Sequence, residues 1–290
     1  MDNLFGKTFK HLRLMKNVEA KSIACDGLSY SQLMRFEAGK TSLTVEKLML
    51  ALHAIGTNFV EFEYAYYELA ESDLLIGRDI WQSYWQRNIA KLELLIDQLE
   101  QKIQAKPDDF NYLLYKVQAE AFLKQLQPSY LPPQEDIKKI VQYLLTINQW
   151  WYTECELLMN SASIFSDKQL RDLTHKMLNP EIKFRNSDAL QMKIDAALLS
   201  VIRVLIANKH FDPLHEIFDY LDAHVLPDYN MYERAMFAYF KTLYRFRKAP
   251  SKETLAPVER CIEAFKILDC FGLANYAADE VKRYCKESHI

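Results

Sequence analysis

Glycine is concentrated at one end of this chain. Of its six glycines, four (Gly6, Gly27, Gly39 and Gly56) lie before residue 57. The rest of the sequence therefore has little glycine for the tight turns that connect β-strands. Its apolar residues instead recur at helical spacing between prolines, as in amphipathic helices. The distribution predicts an all-α protein with a turn-rich N-terminal segment followed by long helices.

Length and charge suggest two parts with different roles. A chain of 290 residues exceeds what one small core needs, which favours two domains. Residues 1–58 carry eight Lys/Arg and five Asp/Glu, a net charge of +3, whereas the remainder carries -6. A basic segment on an acidic chain is typical of a nucleic-acid contact confined to that segment. An excess this small also arises by ordinary scatter, so charge alone does not decide.

Several classes of function are disfavoured by missing motifs. The cysteine number is odd and no C-x-x-C pair occurs, which favours a reducing cytoplasm over a disulfide framework or a zinc site. No apolar run approaches the ~18 residues that span a bilayer. Nucleotide-binding loops, zinc-protease and serine-hydrolase motifs are absent. We expect no enzyme activity, no cofactor, no metal and no membrane association.

The first sixty residues have the signals of five short helices. A first helix is predicted from Leu4 to Lys16 and a short second one from about Glu19 to Cys25. Asp26-Gly27 is a turn signal. The pattern S-x-x-Q at 29–32 predicts a capping box for a third helix that starts at Tyr30 and ends at Gly39. Caps for the fourth and fifth helices are predicted at Thr44 and Asn58.

This arrangement resembles a known family. Residues 6–62 resemble lambda-repressor-like helix-turn-helix domains, and the phrase S-x-S-Q-L-x-R-F-E-x-G at 29–39 is similar to the Rgg/GadR/MutR regulators of Gram-positive bacteria. The short second helix and turn also fit those regulators. Tyr30, Met34 and Ala38 depart from residues common there, so the resemblance does not carry over an operator sequence.

The resemblance implies that the third helix enters the major groove of DNA, which admits a helix. The residues predicted to contact DNA are Tyr30, Ser31, Gln32, Arg35 and Lys40. Arg35 is suited to guanine, although a phosphate contact or a surface ion pair is the alternative. For Gln32, an adenine contact competes with its capping role. The resemblance also implies a structural ion pair between Arg13 and Glu37.

The sequence after residue 80 predicts a stack of helices. One long helix is predicted from Ile80 through Ile103, and further helices over about 112–126, 137–146, 150–164, 167–178, 188–209, 212–224, 230–247, 252–270 and 273–286. Breaks are expected at Pro180, Pro213, Pro227 and Pro250. Helix pairs recur every ~35–45 residues, the period of tetratricopeptide-like solenoids. We predict a helix-turn-helix domain at 1–65, a linker at 66–78 and a right-handed tetratricopeptide-like solenoid at 79–290.

A second phrase extends the resemblance into this region. The segment N-Q-W-W-Y-T-E at 148–154 is similar to one found in the same Rgg-type regulators, and its aromatic residues are expected to pack rather than to bind ligand. Family members commonly bind short hydrophobic signalling peptides in the helical domain and dimerise through it. By resemblance, the candidate peptide-binding groups are Asn160, Arg203, Asn208 and Tyr239.

The resulting hypothesis is a cytoplasmic homodimeric transcription regulator that binds double-stranded DNA under the control of a signalling peptide, as in quorum sensing. Two alternatives remain open at this point. One is a helix-turn-helix regulator that senses a metabolite or the oxidation of Cys25, a residue that could equally be an apolar filler. The other is a helical-repeat scaffold that binds a protein partner.

Overall fold

The computed structural model describes residues 4–70, 75–179, 188–223 and 228–289. Within these ranges the chain forms fifteen α-helices and no β-strand, which confirms the all-α prediction. The chain divides into two compact units, Met1–Asp79 and Ile80–Ile290, which we call the head and the body. No helix in the described ranges is long and apolar enough to cross a membrane.

Over residues 4–70, the head contains four α-helices and one short 3-10 helix. Its elements are α1 (Leu4–Met15), the 3-10 helix (Ala20–Ile23), α2 (Tyr30–Glu37), α3 (Val45–Ala54) and α4 (Phe59–Leu69). The predicted caps are confirmed: side-chain oxygens of Ser29, Thr44 and Asn58 accept backbone N–H groups in the first turns of α2, α3 and α4. Each satisfies a donor that the helix itself leaves unpaired.

The second helix of the head is shorter than predicted. The sequence suggested a helix over 19–25, but only Ala20–Ile23 is helical, and as a 3-10 turn. The reason is that Cys25 and Leu28 exchange two backbone hydrogen bonds of 3.1 and 3.0 Å. This bridge encloses Asp26-Gly27, and Gly27 supplies the positive φ of 94° that the turn requires.

The core of the head is small and tightly packed. Phe9 of α1 and Phe36 of α2 are buried together, with ring centroids 6.1 Å apart. At Gly6 the backbone of α1 approaches that of α2 so closely that a Cβ would lie 1.8 Å from the Phe36 carbonyl oxygen. Only glycine fits this crossing, so α2 is fixed against α1 by backbone contact.

The body is built from the remaining helices. In chain order they are α5 (Ile76–Trp85, which crosses the division between the units), α6 (Ile89–Ala105), α7 (Phe110–Leu126), α8 (Gln134–Thr146), α9 (Tyr152–Ser161), α10 (Asp167–Leu178), α11 (Asp188–Ala207), α12 (Leu214–Ala223), α13 (Met231–Lys248), α14 (Lys252–Ile267) and α15 (Phe271–Ser288). Neighbouring helices pack in series, including α6 on α7, α13 on α14 and α14 on α15. This is the pairwise packing of helical repeats. The breaks predicted at Pro180 and Pro227 lie outside the described residues.

The long helix predicted over 80–103 is two helices. The chain leaves α5 after Trp85, and Arg87 adopts a positive φ of 54°. Asn88 then starts α6 by accepting the backbone N–H of Lys91 at 3.0 Å. Apolar spacing continues across this break, which is why periodicity alone joined the two helices.

Two residues of the second phrase of the resemblance, Trp150 and Glu154, lie in the core of the body. Trp150 is buried and donates its indole N–H to the Leu144 carbonyl at 2.9 Å. Glu154, also buried, accepts the Trp151 backbone N–H at 2.8 Å and the Tyr143 hydroxyl at 2.6 Å. Burial raises the pKa of Tyr143 to about 12, and the hydrogen bond that its hydroxyl donates to Glu154 contributes to this rise. Trp150 therefore packs as predicted, whereas Trp151 and Tyr152 of the same segment are 45% and 41% exposed.

Candidate functional site

One face of α2 is free and the other is buried. Tyr30, Ser31, Gln32 and Arg35 are exposed, whereas Leu33, Phe36 and Glu37 are buried. Within the described residues the Arg35 guanidinium has no hydrogen-bonding partner. The helix therefore presents a polar row to solvent while its apolar row holds it on the head.

The capping box limits the hydrogen bonds that the Gln32 side chain can offer to a DNA base. Its side-chain oxygen accepts the Ser29 backbone N–H at 3.4 Å and the Lys47 ammonium at 3.3 Å. Both partners are donors only, so the amide oxygen must face them and the NH₂ group points elsewhere. A bidentate contact with adenine needs both the oxygen and the nitrogen. Such a contact would therefore release the cap, and Gln32 is better suited to a single donated hydrogen bond.

Arg13 and Glu37, the predicted ion pair, lie in contact. Arg13 donates from Nε and Nη2 to the two oxygens of Glu37 at 2.6 and 2.8 Å. A third bond runs from Nη1 to the Val18 carbonyl at 2.8 Å. The hydrogen bond to Glu37 raises the pKa of Arg13 and outweighs the opposing effect of burial. This fork joins α1, the last residue of α2 and the chain after α1.

Two further predicted residues flank α2. Lys40 is exposed and follows Gly39, whose φ of 72° ends the helix. Its backbone N–H bonds to the Arg35 carbonyl at 2.9 Å, so Lys40 is held one turn from Arg35. Cys25 is exposed at the base of the turn that precedes α2. The role of Cys25 as a redox or dimer residue stays a prediction.

In the body, two of the four predicted peptide-binding residues bond to glutamines on the same face of α7. Asn160 of α9 donates to the side-chain oxygen of Gln118 at 2.7 Å. Arg203 of α11 donates to the side-chain oxygen of Gln125 at 3.0 Å, and the Tyr84 hydroxyl of α5 donates to the same oxygen at 3.0 Å. We call these five residues the polar cluster.

Helical geometry explains how α7 contributes to the polar cluster. Gln118 and Gln125 are seven residues apart, which places them on one face two turns apart. Each also donates its amide nitrogen to the carbonyl four residues earlier in α7, at 3.0 and 3.4 Å. Their oxygens are thereby turned towards Asn160 and Arg203. Much of the rest of α7 is buried, and its buried residues include the charged Lys116 and Glu120.

The other two predicted peptide-binding residues are placed differently. Tyr239 is 1 % exposed and donates its hydroxyl to Glu280 at 3.0 Å. It is a core residue in this structure, because the bulk of a tyrosine at this position fills the space between α13 and α15. Asn208 is exposed and donates to Asp167 at 2.9 Å. Five residues of α-helix turn Asn208 about 140° from Arg203, away from the polar cluster.

Sequence reasoning missed Gln118, Gln125 and Tyr84 as members of the polar cluster. The two glutamines gave only a weak signal: their spacing of seven places them on one face of a helix, but α7 carries other polar residues as well. Tyr84 gave no comparable signal, because its ring stacks on Phe122 at 4.3 Å like an ordinary core aromatic. Among the described residues no group of His, Cys, Asp and Glu is arranged to hold a metal ion.

Comparisons with solved structures agree with this fold. The SHP pheromone receptor Rgg2 of Streptococcus dysgalactiae is 23% identical with a TM-score of 0.74, covering 98% of this chain and 99% of its own. A putative transcriptional regulator from Listeria monocytogenes EGD-e is 17% identical with a TM-score of 0.76, covering 100% of both chains. The PrgX/iCF10 complex is 14% identical with a TM-score of 0.68, covering 100% of this chain and 98% of its own.

A family model identifies the chain more directly. The model described as the C-terminal domain of the HTH-type transcriptional regulator Rgg matches residues 86–279, most of the body. The resemblance first found in the phrase at 29–39 therefore extends through the helical region. These proteins regulate transcription and are not enzymes, as the sequence predicted. The chain belongs to the Rgg family of HTH-type transcriptional regulators.

Proposed function

We propose that this protein is a sequence-specific regulator that binds double-stranded DNA in the cytoplasm as a homodimer, and that a short hydrophobic signalling peptide bound by the body controls it. The observation that carries the proposal is the exposed polar face of α2, fixed from behind by the bidentate Arg13–Glu37 pair. A helix held in this way can enter the major groove without reorganising.

The contacts of the head divide into two kinds. Arg35 has its guanidinium free and faces outward one turn into α2, which suits a bidentate contact with guanine. Tyr30, Ser31 and Lys40 lie around it and suit phosphate contacts that position the helix. In a homodimer, two copies of α2 would read half-sites about one DNA turn (~34 Å) or a multiple of it apart.

Support for peptide control comes from the relatives and from the polar cluster. Rgg2 is a pheromone receptor, and PrgX has been solved in complex with iCF10. In the present chain, Gln118, Gln125 and Asn160 provide amide groups of the kind that clamp a peptide backbone by paired hydrogen bonds. Arg203 adds a charged donor to the same cluster.

The proposed roles follow the predicted domains: DNA binding at 1–65, a linker at 66–78, and peptide binding and dimerisation at 79–290. Peptide binding would act by favouring one of two pre-existing states of the dimer. The size of the response is then limited by the difference in peptide affinity between those states.

The DNA half of the proposal is tested with an operator recovered by pull-down of genomic DNA on the purified full-length protein. For wild-type protein we expect a mismatch in the contacted base pair to cost about 1–3 kcal/mol, measured by fluorescence anisotropy. Arg35→Ala should abolish that discrimination while leaving non-specific affinity largely intact.

A second variant separates base reading from phosphate contacts. Lys40→Ala should weaken operator and random DNA equally and reduce the slope of log affinity against log salt by about one. Arg245→Ala, at an exposed site on α13 of the body, is the matched control and should change neither. Full discrimination retained by Arg35→Ala would contradict the assignment of α2 to the groove.

A further inference from the structure

Arg203 carries a charge that the described part of the body does not neutralise. The side chain is half-buried, and it donates a hydrogen bond to the neutral amide oxygen of Gln125 at 3.0 Å. No carboxylate in the described ranges forms an ion pair with it. Partly buried charges are normally paired, because an unpaired charge removed from water is costly. Arg203 therefore differs from the buried Arg13 and Arg247, which both contact carboxylates.

The groups that face Arg203 come from four other helices. These groups are Tyr84, Gln125, Tyr232 and Tyr276, and none of them is a carboxylate. The nearest acid is Glu280 of α15, but its oxygens are already occupied by the hydroxyls of Tyr239 and Tyr284, each at 3.0 Å. Burial alone would lower the pKa of Arg203, yet Tyr276, Tyr84 and Glu280 raise it, so the guanidinium keeps its charge.

The surroundings of Arg203 combine this charge with apolar surface. Trp81 and Trp85 of α5 lie one turn apart with ring centroids at 5.4 Å, and 41% and 65% of their surfaces are exposed. Trp85 also contacts the Tyr84 ring at 6.0 Å, edge to face. Tyr84 in turn shares the Gln125 oxygen with Arg203. Arg203 is thus connected to exposed aromatic rings of α5 through Gln125 and Tyr84.

We propose that Arg203 is a carboxylate-binding site, so that the peptide taken by the body is an apolar one that places a carboxylate on this guanidinium. A planar guanidinium matches a carboxylate in a two-bond fork, which lysine or amide groups do not reproduce. The carboxylate is either the C-terminus of the peptide or an acidic side chain. This inference rests on the proposed peptide-binding function and specifies the chemistry of its ligand.

The test uses three mixtures of short synthetic peptides built from Leu, Ile, Val, Phe, Trp and Gly. The first mixture has a free C-terminal carboxylate, the second a C-terminal amide, and the third an amide plus one Asp at a varied position. Each is titrated into full-length protein and followed by tryptophan fluorescence. Trp81 and Trp85 are the expected reporters, because Trp150 is buried in the core.

We expect wild-type protein to bind a carboxylate-bearing mixture about 10- to 100-fold more tightly than the neutral amide mixture. Preference for the first mixture alone identifies the C-terminus as the source, and preference for the third identifies an acidic side chain. Equal affinity for the amide and acid mixtures would overturn the role of Arg203 while leaving peptide binding intact. Binding of none of the mixtures would overturn both this inference and the peptide half of the proposed function.

Variants of Arg203 complete the test. Arg203→Gln should lower affinity for the acid mixtures to that for the amide mixture, whereas Arg203→Lys should retain part of the preference because it keeps the charge. Arg245→Gln, an exposed arginine on α13, should behave as wild type. Circular dichroism checks that each variant is folded. A preference for acid mixtures that survives Arg203→Gln would exclude the proposed site.

Discussion

The head and the body each bury a basic side chain among carboxylates, but they balance the charges differently. In the head, Arg13 and Glu37 form a one-to-one fork with side chains 9% and 2% exposed. In the body, one lysine meets three acids: the ammonium of Lys116 lies 3.2, 3.0 and 2.8 Å from Glu100, Glu120 and Asp136. The buried pair of the head has no net charge, whereas the cluster around Lys116 in the body has more acidic than basic groups.

The difference suggests a division of labour. The head needs one geometry, and a bidentate pair enforces it because both partners are saturated in a single arrangement. The body leaves charges unbalanced at two places, negative around Lys116 and positive at Arg203. Unbalanced buried charges respond to protons and ligands. Removing the buried cation, Arg13 in the head or Lys116 in the body, should therefore change the stability of the two units differently.

The largest effect is expected at Lys116. Lys116→Met would leave Glu120, which is 0% exposed, without its cation, at a cost of about 5 kcal/mol in the free energy of unfolding. Burial already raises the pKa of Glu120, and Lys116 opposes that rise. Removing the lysine raises the pKa further. Above pH 4.5, the ordinary pKa of a glutamate, the unfolded chain has released the Glu120 proton while the folded protein still holds it.

The sign of the pH dependence follows from this difference in proton binding. A carboxyl whose pKa is raised by folding stabilises the protein below the unfolded pKa, and that stability is lost as pH rises through the folded pKa. The melting temperature of Lys116→Met should thus fall between pH 5 and pH 8 much more steeply than that of wild type. Glu100→Gln, at the partner that is 48% exposed, serves as the control and should change little. If the melting temperatures of Lys116→Met and wild type changed in parallel with pH, Lys116 would have no effect on the pKa of Glu120.

The next effect is expected in the head. Arg13→Met should destabilise it by about 3–4 kcal/mol, because Glu37 would remain buried without a partner. Lys16→Met breaks the Lys16–Glu61 pair, whose side chains are 35% and 50% exposed, and should cost under about 1 kcal/mol. All four tryptophans (Trp81, Trp85, Trp150 and Trp151) lie in the body, so the readout is hydrogen exchange in α1 and α2. If Arg13→Met and Lys16→Met lost similar amounts of stability, burial of the Arg13–Glu37 pair would not add to its contribution.

The head and the body also differ in how much of their structure could be predicted from the sequence. In the head, the signals are local: Ser29, Thr44 and Asn58 each cap a helix by bonding to an amide three residues later. The residues proposed to contact DNA also lie within 30–40, a segment that the eleven-residue phrase covers almost entirely. Spacing along the chain was therefore enough to predict the caps, whereas at 19–25 the backbone bridge between Cys25 and Leu28 overrides helical periodicity.

In the body, the signals are not local. Tyr84, Gln125, Asn160 and Arg203 come from four helices, and which faces meet depends on how those helices pack. Apolar periodicity predicts the helices but not their partners. It did not indicate that Asn160 and Arg203 bond to glutamines of α7, or that Tyr239 is a core residue. The end of α5 was missed for a related reason, since a positive φ at Arg87 leaves no mark in the apolar pattern.

The smallest effects compare one glycine from each unit. Gly6→Ala places a methyl group against the Phe36 carbonyl, so α1 and α2 must separate, at a cost of about 1–3 kcal/mol. Gly272→Ala, in the first turn of α15, meets no atom within 4 Å and should stabilise the body by about 0.4–1 kcal/mol, because alanine loses less backbone entropy on folding. Chemical denaturation followed by circular dichroism measures both changes. Because α2 carries the proposed DNA-binding face, Gly6→Ala should also weaken operator binding, whereas Gly272→Ala should not. A neutral Gly6→Ala would show that α1 and α2 can move apart freely, and the rigid presentation of α2 would then have to come from the Arg13–Glu37 pair alone.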